Sequence, residues 1–226
     1  MNTLLIAATD TETGKTVLTS ALAAYLQLYR PHESLGIFKP IQTGTGDCEL
    51  YQQLFDLQQT PEEITPLRFQ MPLAPPIAAE KEGRMVDLGV VWQAFNSLRQ
   101  QRQWVLVEAL GGLGSPVTHE LTVADLARDW RLRVVLVVSV KLGAIAQAVA
   151  NVALARQSGV HVVGIVLNCV TSCSEDEIKD WTPVELIESL TNVPILGTIP
   201  HLSDPTDCSK LAQVASNLEI ERLLLK

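Results

Sequence analysis

Gly14, Lys15 and Thr16, set behind the run Ala8-Thr-Asp-Thr-Glu-Thr13, have the types and spacing of a phosphate-binding loop. The pattern is G-x-x-x-x-G-K-[ST], with Ala8 where its first glycine belongs. A tight turn there aims successive backbone N–H groups inward as an anion nest. A helix starting near Gly14 adds the positive end of its dipole. Lys15 supplies a point charge for the β- and γ-phosphates, and the Thr16 hydroxyl is a hard-oxygen ligand for Mg²⁺. The chemistry implied is binding of a nucleoside triphosphate; the loop alone leaves its use open.

Other groups fall just after apolar runs. Lys39, held by Pro40 after Leu35–Phe38, is placed to meet an anion beside the loop. Thr43-Gly-Thr-Gly-Asp47 follows, and Asp47 either caps the next helix or reaches Mg²⁺. Glu108 closes the apolar run Trp104–Val107 and is placed to hold Mg²⁺ opposite Thr16. A carboxylate buried without a partner is costly, and the cation would supply one. Gly111 and Gly112 allow close backbone approach. Leu142-Gly143-Ala144 opens an Ala-rich helix whose N-terminus either binds a carboxylate or simply starts the helix. The Asn168 amide either pairs with a base edge or closes an Asx turn. Pro200-His201-Leu202 falls near where a base would lie. His32, His119 and His161 show no base–nucleophile pattern.

These residues need a scaffold. Strands are expected at Thr3–Ala7, Leu35–Phe38, Trp104–Glu108, Val134–Ser139, Val162–Asn168 and Ile195–Ile199. Most are apolar throughout, as strands buried on both faces of a parallel sheet are. Helices are expected at Lys15–Tyr29, Glu49–Leu57, Leu88–Arg102, Thr122–Asp129, Ala144–Ser158, Pro183–Leu190 and Lys210–Leu224. Their alternation implies a doubly wound, mainly parallel α/β sheet whose ligands sit at the carboxyl ends of the strands. Between Pro61 and Pro76 the prolines predict an ordered surface excursion rather than a helix.

At 226 residues a single domain spanning 1–226 is expected, and a hydrophobic fraction of 47% gives it a large core. No apolar run is long enough to span a membrane, and the first strand lacks the flanks of a signal peptide. A net charge of −8 argues against a nucleic-acid surface. Cys48, Cys169, Cys173 and Cys208 form no paired metal spacing and suit free thiols in a cytoplasmic protein.

Together Thr9–Thr16, Lys39-Pro40 with Thr43-Gly44, Val107-Glu108 with Gly111-Gly112, and Val140-Lys-Leu-Gly143 resemble the dethiobiotin synthetases. The resemblance runs over most of the chain, from the Ala8–Thr16 loop to Ile199–Leu202. It implies a P-loop nucleoside triphosphate hydrolase type of fold, a homodimer, and an ATP-dependent reaction. In that reaction 7,8-diaminononanoate, CO₂ or bicarbonate, and ATP give dethiobiotin, ADP and phosphate. One amine traps CO₂ as a carbamate, ATP phosphorylates it, and the second amine closes the cyclic urea. By the resemblance Lys15 and Lys39 straddle the transferring group, and Thr16, Asp47 and Glu108 hold Mg²⁺. Glu12, Thr13, Gly14, Val17, Ala109, Leu110 and Gly111 join them around ATP. Asn168, Cys169, Pro200, His201 and Leu202 match the adenine pocket. Thr43 falls on the diamine side. Leu142, Gly143, Ala144 and Ile145 match the helix start that takes the diamine's carboxylate from the other subunit.

Two departures stand out. Ala8 replaces the loop's first glycine, which costs little if the backbone there is extended, as expected. Ala109-Leu110 replaces the family's usual Gly-Ala, so Leu110 either crowds the diamine or turns into the core. A partitioning-type ATPase would carry a lysine at the start of the loop and an amphipathic C-terminal membrane helix, and neither is present. An amidotransferase-type synthetase would need a further glutaminase domain. A catalytically silent nucleotide-binding module is disfavoured by the intact Lys15, Lys39 and Glu108.

Overall fold

The computed structural model describes residues 2–224. The chain runs β1 (Asn2–Ala8), α1 (Lys15–Tyr29), β2 (Leu35–Phe38), β3 (Ile41–Thr43), α2 (Asp47–Leu54), α3 (Pro61–Ile64), β4 (Leu67–Phe69), α4 (Pro75–Lys81) and α5 (Leu88–Gln101). It continues β5 (Trp104–Gly112), α6 (Val123–Asp129), β6 (Arg133–Ser139), α7 (Ala144–Gln157), β7 (His161–Asn168), α8 (Glu175–Trp181), α9 (Val184–Thr191), β8 (Ile195–Ile199), α10 (Cys208–Ser216) and α11 (Ile220–Leu223). Six strands form one sheet in the order β2-β5-β1-β6-β7-β8, and each of its pairings is parallel. A second, two-stranded sheet pairs β3 with β4.

The apolar strands are explained by helices on both faces. In β1, Leu5 and Ala7 join a core with residues of α5, α6 and α7, while Leu4, Ile6 and Ala8 join another with α1 and α10. With water excluded from both sides, no polar alternation is left to read. Phe38, the last residue of β2, packs against Phe95 and Trp130 at ring-centroid distances of 5.4 and 6.4 Å. Truncating an aromatic in such a core costs roughly 3–5 kcal/mol, so the strand end that carries Lys39 is firmly held.

Three expectations need correction. The Pro61–Pro76 stretch holds α3 and β4, and its last two prolines open α4. Pro61 stands in the first turn behind Thr60, whose hydroxyl caps Glu63 N–H while the Glu63 carboxylate returns to Thr60 N–H. Proline costs nothing in a first turn, where the missing donor has no helical partner anyway. The expected helix Lys210–Leu224 breaks into α10 and α11. Glu219 N–H leaves the helix to bond Leu196 O at 2.8 Å, fastening the chain end to β8. The expected helix Glu49–Leu57 starts at Asp47 and ends at Leu54, and α8 was not expected at all.

Candidate functional site

Register brings the reactive groups together. Phe38 pairs with Val107 in the parallel β2–β5 ladder, so the next residues, Lys39 and Glu108, emerge side by side at the carboxyl end. Lys39 Nζ lies 2.8 Å from Glu108 Oε1 and also donates to Asp47 Oδ2. Thr16, in the first turn of α1, donates to Asp47 Oδ1 at 3.1 Å and to Glu108 Oε1 at 3.3 Å. Glu108 is 0% exposed, and its Oε2 accepts a hydrogen bond from the Tyr51 hydroxyl. Asp47 is the first helical residue of α2, behind the N-cap Gly46, so it does not cap the helix and its carboxylate reaches the cluster instead.

Burial would lower the Lys39 pKa, but Glu108 and Asp47 beside it outweigh burial and raise it. Lys39 therefore stays an ammonium. Burial pulls Lys15 below the usual lysine range, and the Lys39 charge adds to this while Glu108 opposes it. Burial, with the Glu108 charge, pushes the Tyr51 phenol well above its ordinary value, so it remains a hydrogen-bond donor.

The loop between β1 and α1 is built from the same simple forces. Ala8 is the last residue of β1, paired with Val137 of β6, and it is extended as expected. Glu12 and Gly14 take positive φ, at 54° and 94°. The Glu12 conformation costs on the order of 1 kcal/mol in a residue with a Cβ, and it turns neighbouring N–H groups inward. At Gly14 a Cβ would lie 2.0 Å from Asn168 Nδ2, so only glycine fits. Thr13 Oγ1 donates to Asp10 O at 2.9 Å, and Lys15 Nζ reaches the same carbonyl at 3.2 Å. No side chain caps α1, in contrast to α5, α6, α8 and α10. Its first N–H groups are thus left to an anion.

β5 runs four residues beyond Glu108, to Gly112, through an irregularity in its pairing with β1. A Cβ at Gly112 would lie 3.0 Å from Ala8 O, a close approach to the chain's own backbone at the end of β1. Ala109 is buried, and Leu110 turns toward the core rather than the site. Val17 likewise packs on the core under α1.

The Asn168 amide makes a contact outside the two expected of it. Its Nδ2 donates to Thr13 O at 2.8 Å, tying the end of β7 to the phosphate loop. Cys169 N–H bonds Ile199 O at 2.9 Å, and His201 Nδ1 lies 3.0 Å from Val170 O. The structure thus gathers Asn168, Cys169, Pro200, His201 and Leu202 at one corner next to the loop, with Pro200 and His201 exposed. Thr43 ends β3, half-buried. At the start of α7, Gly143 has φ 90° and no side chain caps the helix, while Leu142 is 84% exposed. Among the described residues no hydrogen bond joins residues 142–145 to the Lys39–Glu108 cluster; Leu142 and Gly143 are exposed, Ala144 is buried and Ile145 packs on the core.

Sequence reasoning missed Tyr51. Its signal was the four-residue spacing from Asp47, which puts both on one face of α2.

Two carboxylates and a hydroxyl converging on one cation are the hard-oxygen donors Mg²⁺ takes when it keeps waters and substrate phosphates. Among the described residues there is no cluster of three or more His, Cys, Asp or Glu that could hold a metal ion.

A family model described as an AAA domain matches residues 2–208. The chain is 59% identical to an ATP-dependent dethiobiotin synthetase of Gloeothece citriformis, over 99% of each chain. It is 57% identical to that of Crocosphaera subtropica, over 99% of this chain and 100% of that one. Against that of Bacillus subtilis it is 30% identical, over 99% of this chain and 98% of that one. Among solved structures, the Pyrococcus furiosus cell division ATPase MinD matches at TM-score 0.59 and 15% identity, covering 99% of this chain and 100% of that chain. A ParA family ATPase from Chlorobium tepidum matches at 0.57 and 13%, covering 98% and 95%. At such identities these two show the shared P-loop ATPase fold alone.

Proposed function

This chain belongs to the ATP-dependent dethiobiotin synthetases, ligases of biotin synthesis, and from that premise we propose how its own residues carry the reaction. The substrates are 7,8-diaminononanoate, CO₂ and ATP. The observation that carries the reading is the convergence of Thr16, Asp47 and Glu108 on Lys39, beside an uncapped helix start.

A carbamate is a poor electrophile until its oxygen becomes a phosphate leaving group. Phosphoryl transfer asks the protein mainly for alignment and charge neutralisation. The loop N–H groups from Glu12 to Val17 hold the phosphates, and Lys15 leaves Asp10 O to meet them. Lys39 neutralises the carbamate and the group being transferred. Thr16, Asp47 and Glu108 would hold Mg²⁺, which would supply charge neutralisation at the phosphates. Asn168, Cys169 and residues 200–202 flank the base, and the backbone of residues 109–111 borders the ATP side, with the Ala109 and Leu110 side chains turned to the core. Thr43 borders the diamine, and the second amine then attacks the mixed anhydride.

The exposed Leu142 and the N-cap Gly143, with no side chain capping α7, support a homodimer in which residues 142–145 of one protomer receive the carboxylate of a diamine held by its partner. Residues 1–226 act as one unit. The free cysteines suit the cytoplasm, and among the described residues no helix is long and apolar enough to cross a membrane.

The test is phosphate release from ATP measured with and without each co-substrate. Release should require both 7,8-diaminononanoate and bicarbonate. Hydrolysis at the same rate without the diamine would reject the proposal.

A further inference from the structure

Glu108 has two oxygens with different neighbours. Oε1 serves Lys39 and Thr16, and Oε2 is taken by the hydroxyl of Tyr51. Tyr51 is itself 0% exposed, so no water competes for that oxygen. Tyr51 and Asp47 lie one turn apart on α2, and both reach the same cluster. The helix is fixed at its start, where Cys48 N–H bonds Gln42 Oε1 at 3.1 Å and Gly46 N–H bonds Glu49 Oε2 at 3.0 Å.

We propose that Tyr51 is a positioning residue of the phosphoryl-transfer site: its buried hydroxyl pins one oxygen of Glu108, so that only Oε1 faces Lys39, Thr16 and the divalent cation. A carboxylate held by one ammonium alone turns freely when that ammonium shifts toward a phosphate. Tyr51 keeps Glu108 in register through that exchange. Because Asp47 and Tyr51 share α2, the same helix sets the separation of the two carboxylates. Partners that orient metal-binding carboxylates in this way typically change metal affinity 10–100-fold when removed.

This inference rests on the divalent-cation reading above. Its readout is cation-dependent nucleotide binding rather than product formation, so failure of the synthetase reading and failure of this one give different results. Tyr51→Phe removes the hydroxyl and keeps the ring. A fluorescent ATP analogue is titrated with Mg²⁺, and separately with EDTA present. The Mg²⁺ concentration for half-maximal binding should rise about 10–100-fold, while affinity in EDTA stays within about twofold. In turnover, kcat should fall with KM for the diamine unchanged. A folded Tyr51→Phe protein whose Mg²⁺ half-saturation stays within about twofold of the parent would overturn the proposal. Should the variant not fold, 3-fluorotyrosine is incorporated in a Tyr25→Phe/Tyr29→Phe background, which leaves Tyr51 as the one labelled tyrosine. Its fluorine resonance should shift when Mg²⁺ is added to the complex with a non-hydrolysable ATP analogue; an unmoved resonance would likewise overturn it.

Discussion

Replacing Lys39 by Met removes the ammonium and keeps most of the stem. In the protein that ammonium touches Glu108, whose side chain is 1% exposed, and Asp47, whose side chain is 33% exposed. Asp47 can turn to water, so its loss is small. Glu108 cannot, and it keeps only neutral donors, Thr16 and Tyr51. Removing one partner of a buried ion pair costs about 3–5 kcal/mol, mostly through the charge left behind. For a chain of this size each kcal/mol moves Tm about 2–4 °C, so Lys39→Met should lower Tm by roughly 6–20 °C.

The same argument fixes what happens next. Glu108→Gln in the Lys39→Met background removes the orphaned charge while keeping the volume. The double variant should be less destabilised than the sum of the singles, with a coupling of about 0.5–3 kcal/mol. On the mechanism proposed above, dethiobiotin formation should nevertheless be lost in all three variants. Thermal melts of the four proteins, alongside product assays at a temperature where each is folded, make the comparison. If Lys39→Met melts within about 2 °C of the parent, or if the two substitutions are additive, the buried pair does not hold the site as described.

Two shorter predictions test the local geometry. Ala8 ends an extended strand, so Ala8→Gly should leave ATP affinity unchanged and cost about 0.5–1 kcal/mol of stability; markedly tighter ATP binding, by isothermal titration, would mean that the backbone there wants positive φ. Asp125 is held below the usual carboxylate range first by the Thr122 hydroxyl and then by its backbone N–H. A lowered folded pKa stabilises fully above the unfolded value of 3.8 and is lost as pH falls through the folded one. Thr122→Ala should therefore be about 1 kcal/mol less stable in urea at pH 7, and the gap should shrink below about pH 4; a gap that is constant down to pH 3 would contradict this.

Which parts of this molecule were legible in the sequence follows from how local their physics is. The phosphate loop depends on residues within nine positions, and the strands declare themselves by apolar runs, so both were readable. Pro61, Pro75 and Pro76 misled because proline speaks against helix interiors but favours first turns; the Thr60 cap marks the turn at Pro61, while no side chain caps the helix that Pro75 and Pro76 open. The adjacency of Lys39 and Glu108 depends on β2 pairing with β5, and no local pattern specifies strand order. Glu108 carries the largest lesson. A carboxylate at the end of a buried strand is a local inconsistency, and it correctly pointed to a site. The cation was expected to supply its missing partner, yet the chain itself provides Lys39 on one oxygen and Tyr51 on the other. The acid is therefore oriented by the chain on both of its oxygens. On the mechanism proposed above, an incoming cation would meet Lys39 and Thr16 on Oε1, while Tyr51 keeps Oε2.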